Sequence, residues 1–147
     1  MTSEPKAHAP FIKYILIFVV LALLASLTFI WLRSGAKAAP PITEHTFELG
    51  QAVWEIDAYP AKVLQENHFE VGLTDLTGAP LQGAILSVKL EMLNMVCGDY
   101  EFQMTEVLPG KYSGEGIPLM AGKWKATITL EKAEHSYTLV RVLQAIH

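Results

Sequence analysis

The sequence predicts an all-β domain, an antiparallel β-sandwich, preceded by one N-terminal transmembrane helix. Three observations carry that expectation. Residues 14–32 form an uncharged apolar run, period-two alternation recurs in four segments beyond residue 43, and glycine- and proline-bearing turns separate those segments. With 147 residues in all, and a helix already drawn from them, the remainder suffices for one modest domain.

The apolar run "YILIFVVLALLASLTFIWL" is bounded by Lys13 and Arg33. Nineteen residues rising about 1.5 Å each cover about 28 Å, close to the roughly 30 Å of a hydrocarbon core. Tyr14 and Trp31 stand near its two ends, where aromatic rings favour the membrane interfaces. A cleaved signal peptide is the competing reading, because Ala36, Lys37 and Ala38 make a small-x-small site. The run exceeds the roughly 7–15 apolar residues of a signal peptide, which favours an uncleaved anchor. Basic residues are tied across it, Lys6 and Lys13 against Arg33 and Lys37. The orientation therefore rests on the habit of signal anchors: a short cytoplasmic tail at 1–13, a single pass through the cell membrane, and an extracytoplasmic C-terminal domain.

Residues 33–42, "RSGAKAAPPI", read as a linker, with Pro40-Pro41 holding the chain extended. The domain then occupies 43–147. In "HFEVGLTD", Phe69, Val71 and Leu73 fall on one face and His68, Glu70 and Gly72 on the other. "ILSVKLEM" places Leu86, Val88, Leu90 and Met92 together, "WKATITLE" does the same with Trp124, Ala126, Ile128 and Leu130, and "YTLVRVL" is rich in β-branched residues. "DLTGAP" and "LPGKY" are reversal signals, and "MAGKW" is a tight start to a strand. Short strands at this spacing in about 100 residues point to an immunoglobulin-like sandwich.

From Thr43 onward seven Lys and Arg stand against fourteen Asp and Glu, a formal charge of −7. Nucleic acid, whose phosphates require a cationic surface, is not an expected partner. The chain carries no phosphate-binding glycine loop, no G-x-S-x-G elbow, no H-E-x-x-H and no paired-cysteine motif. No enzyme and no small-molecule substrate are expected. One cysteine excludes an intramolecular disulfide.

The stretch "KLEMLNMVCGDYEFQM" gathers Met92, Met95, Cys97 and Met104. Two readings stand. The sulfur atoms fill a core, since methionine is an adaptable gap-filler and free cysteine a small hydrophobe. Alternatively they hold a soft ion, since thioether and thiolate donors favour Cu(I). Spacing M-x-x-M-x-C lets a turn converge three sulfur atoms, with Met104 a fourth from across a hairpin. Met92 continues an apolar face and is expected in the core; Met95 and Cys97 are expected in a loop at the sandwich edge. His45, His68, His135 and His147 are scattered, and only His45 or His68 could join such a site.

The order of these features resembles the YtkA-like domain family and the related FixH-like proteins. The resemblance runs through "NHFEVGLTDLTGAPLQGAILSVKLEMLNMVCG" and "LPGKYSGEGIPLMAGKWKATITL", over residues 53–131. It comprises the D-x-x-G-x-P turn, Gly83-Ala84, the Met-bearing loop, the G-x-Y of Gly110 to Tyr112, and PLMAGKW. The loop reads M-L-N-M where the family often has M-P-x-M, and Cys97 stands where Met or His is more usual. The resemblance implies a small extracytoplasmic β-sandwich tethered by one helix and associated with copper handling or respiratory oxidase assembly. Two functions follow as expectations. One is a copper-binding protein delivering Cu(I) through Met92, Met95, Cys97 and Met104. The other is a non-catalytic accessory subunit of a membrane respiratory complex, with small residues Ala22, Ala25 and Ser26 allowing close helix contact.

Overall fold

A computed structural model describes residues 9–33, 38–96 and 98–147, with side chains described from 13 to 28 in the first stretch. Most of the expected tail, residues 34–37 of the linker, the Trp31 ring and Cys97 lie outside the described residues. The chain divides into two compact units, Met1–Lys37 and Ala38–His147.

The first unit holds α1, Ala9–Arg33, 25 residues long. Its described apolar side chains, including Tyr14, Phe18, Leu21, Leu24 and Leu27, are exposed. The polar side chains turn inward on the helix itself: the Ser26 hydroxyl donates to the Leu23 carbonyl at 2.8 Å and that of Thr28 to the Leu24 carbonyl at 3.0 Å. Among the described residues no helix is long and apolar enough to cross a membrane. Those described side chains stop at 28, inside the uncharged run that continues to Leu32.

The second unit is all-β, as expected. Its strands are β1 Ile42–Phe47, β2 Gly50–Ile56, β3 Ala61–Lys62, β4 Asn67–Asp75, β5 Ile85–Met92, β6 Tyr100–Leu108, β7 Lys111–Gly116, β8 Gly122–Lys132 and β9 His135–Ile146. They form one curled sheet in the order β1-β2-β4-β7-β6-β5-β8-β9-β3. The curl is made by β6. Its first part pairs with β5, Tyr100 opposite Leu90 and Met104 opposite Leu86, and its second part pairs with β7 from Thr105 onward. One strand thus passes from one half of the sheet to the other, and the halves share a single buried layer.

Trp54, Phe69, Val71 and Leu73 enter that layer from β2 and β4; Leu86, Val88, Leu90, Trp124, Ile128, Leu130 and Leu143 enter it from β5, β8 and β9. The alternation expected in the four segments is therefore observed, with the anticipated residues inward. Aromatic contacts cross the layer: Phe69 and Phe102 have ring centroids 5.3 Å apart, and Phe47 and Tyr137 5.2 Å apart.

One pairing departs from the antiparallel expectation. β3 runs parallel to β9, with Ala61 opposite Ala145. The chain leaves β2 in one half, crosses to the other half and lays two residues along the outer edge of β9, covering an edge that would otherwise present unpaired backbone. Asn67, buried at the start of β4, fastens this crossing. Its side-chain oxygen accepts from the Lys62 amide at 2.6 Å, and its amide donates to the carbonyls of Lys62 and Gln65, both at 2.8 Å.

The expected turns form. Asp75 accepts from the Thr77 amide at 2.8 Å and the Ala79 amide at 3.0 Å, closing the D-x-x-G-x-P reversal. Gly110 takes a positive φ of 72° between β6 and β7, where a Cβ would stand 2.7 Å from the Leu73 carbonyl oxygen. Glu106 ties two turns together by accepting from the amides of Gly83 at 2.9 Å and Gly110 at 3.0 Å; these bonds hold its carboxyl below the usual range.

Candidate functional site

The β5–β6 connection, residues 93–99, stands at one end of the β unit. Met92 ends β5 opposite Trp124, half-buried against the core. Its terminal methyl packs onto Gly122, where a Cβ would approach it to 2.7 Å and where φ is 146°. Any L side chain at 122 displaces Met92 or strains the backbone. Met95 follows in the loop and is 43% exposed. Cys97 lies outside the described residues.

Met104 is elsewhere. It is buried on β6 opposite Leu86, six residues along β5 from Met92, or about 20 Å at about 3.3 Å per residue. The expected fourth donor is therefore a core side chain. The β5–β6 hairpin closes with Leu90 opposite Tyr100, so Met104 sits well down the body of the hairpin, away from its tip. The structure brings Met92 and Met95 to one end and leaves Met104 out.

A different methionine comes to that end. Met120, 43% exposed, lies in the β7–β8 connection, residues 117–121. The two connections are neighbours: a Cβ on Gly98 would stand 3.0 Å from Leu119 Cδ1, and the Leu93 amide donates to the Lys123 carbonyl at 3.1 Å. The indole N–H of fully buried Trp124 donates to the Met120 carbonyl at 2.9 Å, fixing the backbone there. Sequence reasoning passed over Met120 as part of a turn. The available signal was its place two residues before the glycine that opens β8, the strand that pairs with the end of β5.

Charge on the outer face near the loop is largely paired. Lys89 bridges Asp99 at 2.9 Å and Glu91 at 3.3 Å, and Lys125 bridges Glu91 at 2.7 Å. Hydrogen bonds from Lys125 and Lys89 hold the Glu91 carboxyl low, and those to Asp99 and Glu91 raise Lys89. Among the described residues no three His, Cys, Asp or Glu side chains gather as a metal-holding group. What this end does offer is thioether sulfur, a soft donor suited to Cu(I) rather than to hard cations. Around it Leu64, Leu93 and Val96 are exposed, and the Leu64 amide bonds the Pro118 carbonyl at 2.9 Å.

Three of the histidines, His45, His68 and His135, are engaged with other groups. His68 Nδ1 is 2.8 Å from Glu115, a hydrogen bond that raises its pKa. His45 packs beside Trp54 with centroids 6.2 Å apart; burial, then the charge of Arg141, lowers its pKa. His135 stacks on Tyr137.

No family model matches the chain, and no curated protein matches it. Among solved structures it is similar to the CARDB domain of a Pyrococcus furiosus protein, determined in complex with di-metal ions. The likeness has 14% identity and a TM-score of 0.36, covering 75% of this chain and 100% of that one. A likeness of that degree bears neither on family nor on metal.

Proposed function

We propose that this chain is a membrane-anchored, extracytoplasmic Cu(I)-binding protein of the YtkA-like and FixH-like kind, delivering Cu(I) in, or otherwise assisting, the assembly of a respiratory oxidase. The observation that carries the reading is the placement of Met92 and Met95 together at one end of the β unit, one rooted in the core and one exposed. A rigid donor defines the site, and an exposed donor lets a partner's ligand replace it during transfer. The facing halves of the curled sheet support an immunoglobulin-like sandwich as the scaffold. The 25 residues of α1, about 37 Å at 1.5 Å each, and the uncharged run within them support a single-pass anchor.

A titration tests this: full-length protein in detergent, under reducing conditions, competing for Cu(I) with a chromophoric chelator, beside the Met95→Leu/Cys97→Ser double variant. One-to-one binding that the variant loses supports the reading. Absence of competition from either protein removes it.

A second reading draws on a specific observation, the exposed Leu64, Leu93 and Val96 at the same end. In it the chain is a non-catalytic accessory subunit, and this rim docks on a larger membrane respiratory complex. Stable co-purification of the full-length chain with such a complex, without copper, selects this alternative.

A further inference from the structure

We infer that Met120 is a third sulfur donor of the end site, acting with Met92 and Met95 across the two neighbouring connections, in the role that spacing alone assigned to Met104. This inference rests on the Cu(I) reading above. Three features argue for it.

The first is adjacency. The connection 117–121 leads into β8, and the start of β8 is hydrogen-bonded to the end of β5, Met92 opposite Trp124. Met92 reaches over Gly122, two residues from Met120, and Leu119 lies against Gly98 in the connection that carries Met95.

The second is exposure. A methionine serving only to fill space belongs in the core, where Met104 is. Met120 and Met95 are each 43% exposed, so filling space does not account for them. Both residues stand exposed in their connections, while Met92 roots the group in the core.

The third is the support beneath Met120. Its carbonyl is held by the indole of Trp124, itself fully buried between the halves of the sheet. A donor on a connection is useful only if the connection is held in place, and this bond holds it. Thioethers carry no charge, so three of them leave the ion's positive charge in place. The net negative charge of the β unit, −7 from Thr43 onward, favours the approach of such a cation.

The experiment compares Cu(I) affinity of the full-length protein in detergent for wild type, Met120→Leu, Met104→Leu and Met120→His, with circular dichroism to verify the fold of each. X-ray absorption on the copper-loaded forms counts sulfur neighbours. Losing a direct donor should cost at least as much as losing an outer-shell partner, so Met120→Leu is expected to weaken binding about tenfold or more. It should also remove one sulfur from the copper environment, while Met104→Leu leaves both readouts unchanged. Met120→His restores a donor and should recover much of the affinity, which a role in folding alone would not produce. Wild-type affinity and an unchanged sulfur count in Met120→Leu overturn the inference and leave the Cu(I) reading standing. Failure of wild type to bind Cu(I) overturns both.

Discussion

The guanidinium of Arg141 on β9 lies 5.3 Å from the centroid of the Trp54 ring on β2, and its Nη1 donates to the carbonyl of the same Trp54 at 3.1 Å. These strands belong to opposite halves of the sheet, so one side chain closes the fold. Arg141 is only 3% exposed, and no carboxylate pairs with it among the described residues. Its charge is met instead by carbonyl oxygens, those of Trp54, of Pro41 at 3.1 Å, and of Pro40, together with the face of the indole. Burial lowers its pKa from the ordinary arginine value. The same bonds fasten the chain to the domain just where the expected linker ends.

Arg141→Lys keeps the charge but loses the fork that reaches several carbonyls at once. Hydrogen bonds to charged groups contribute about 1.5–3 kcal/mol each, so the variant should be destabilised by about 2–3 kcal/mol. Its Tm should fall on the order of 10 °C. Thermal unfolding followed by circular dichroism reads this directly, and an unchanged Tm would show that the carbonyl cage contributes nothing.

His45 and His68 should titrate on opposite sides of the ordinary value of 6.5. His68 is raised by its bond to Glu115, with further attraction from Asp57 and Glu70. The folded state therefore binds its proton more tightly than the unfolded state. The stability it contributes is present below pH 6.5 and is lost as pH rises through the raised folded value. His45 is lowered by burial and by Arg141, so there the unfolded chain takes the proton first, and stability is lost as pH falls below 6.5. The His68 pair is well exposed, and its share should be no more than a few tenths of a kcal/mol. Imidazole NMR titration should place His68 above His45, with Glu115→Gln lowering His68 alone. Coincident midpoints would sink the assignment.

Met104 and Met95 should separate in stability. Truncating Met104, buried opposite Leu86, leaves a cavity, and Met104→Ala should cost about 2–4 kcal/mol. Met95→Ala removes an exposed side chain and should stay within about 0.5 kcal/mol of wild type. Denaturant unfolding of the two variants measures both. Equal losses would mean that Met95 is packed after all.

How far the sequence spoke depends on which side chains carried the pattern. β4, β5, β8 and β9 were legible because each is inward and outward by strict alternation, with large apolar groups such as Phe69, Leu90 and Ile128 on the inner face. β1 was not, because Ile42–Phe47 is an edge strand with no buried residue and a polar sequence. β2 does alternate, with Gly50, Ala52, Trp54 and Ile56 inward, but Gly50 and Ala52 add little contrast. β6 escaped because it serves both halves of the sheet, so that only Met104 of its nine residues is fully inside. β3 is two residues long and exists only through its pairing with β9. The candidate site was half legible for a related reason. Nearness in sequence grouped Met104 with Met92, whereas strand register separates them and brings Met120 to the same end through β8.

Trp124 joins core and site in one side chain, and this yields the last prediction. Trp124→Phe keeps an aromatic ring in the core but cannot donate to the Met120 carbonyl. The cavity left by the smaller ring should cost about 1–3 kcal/mol, which a nine-stranded unit with this much buried apolar surface should survive. The backbone around Met120, without its hydrogen bond to the indole, should open more readily. Hydrogen exchange on the apo protein should show amides at 119–121 exchanging faster than in wild type, while β5 and β8 stay protected to nearly the same degree. Uniform acceleration across the whole unit would mean that Trp124 acts only through global stability. Acceleration confined to the connection would establish that the indole positions Met120, independently of any bound metal.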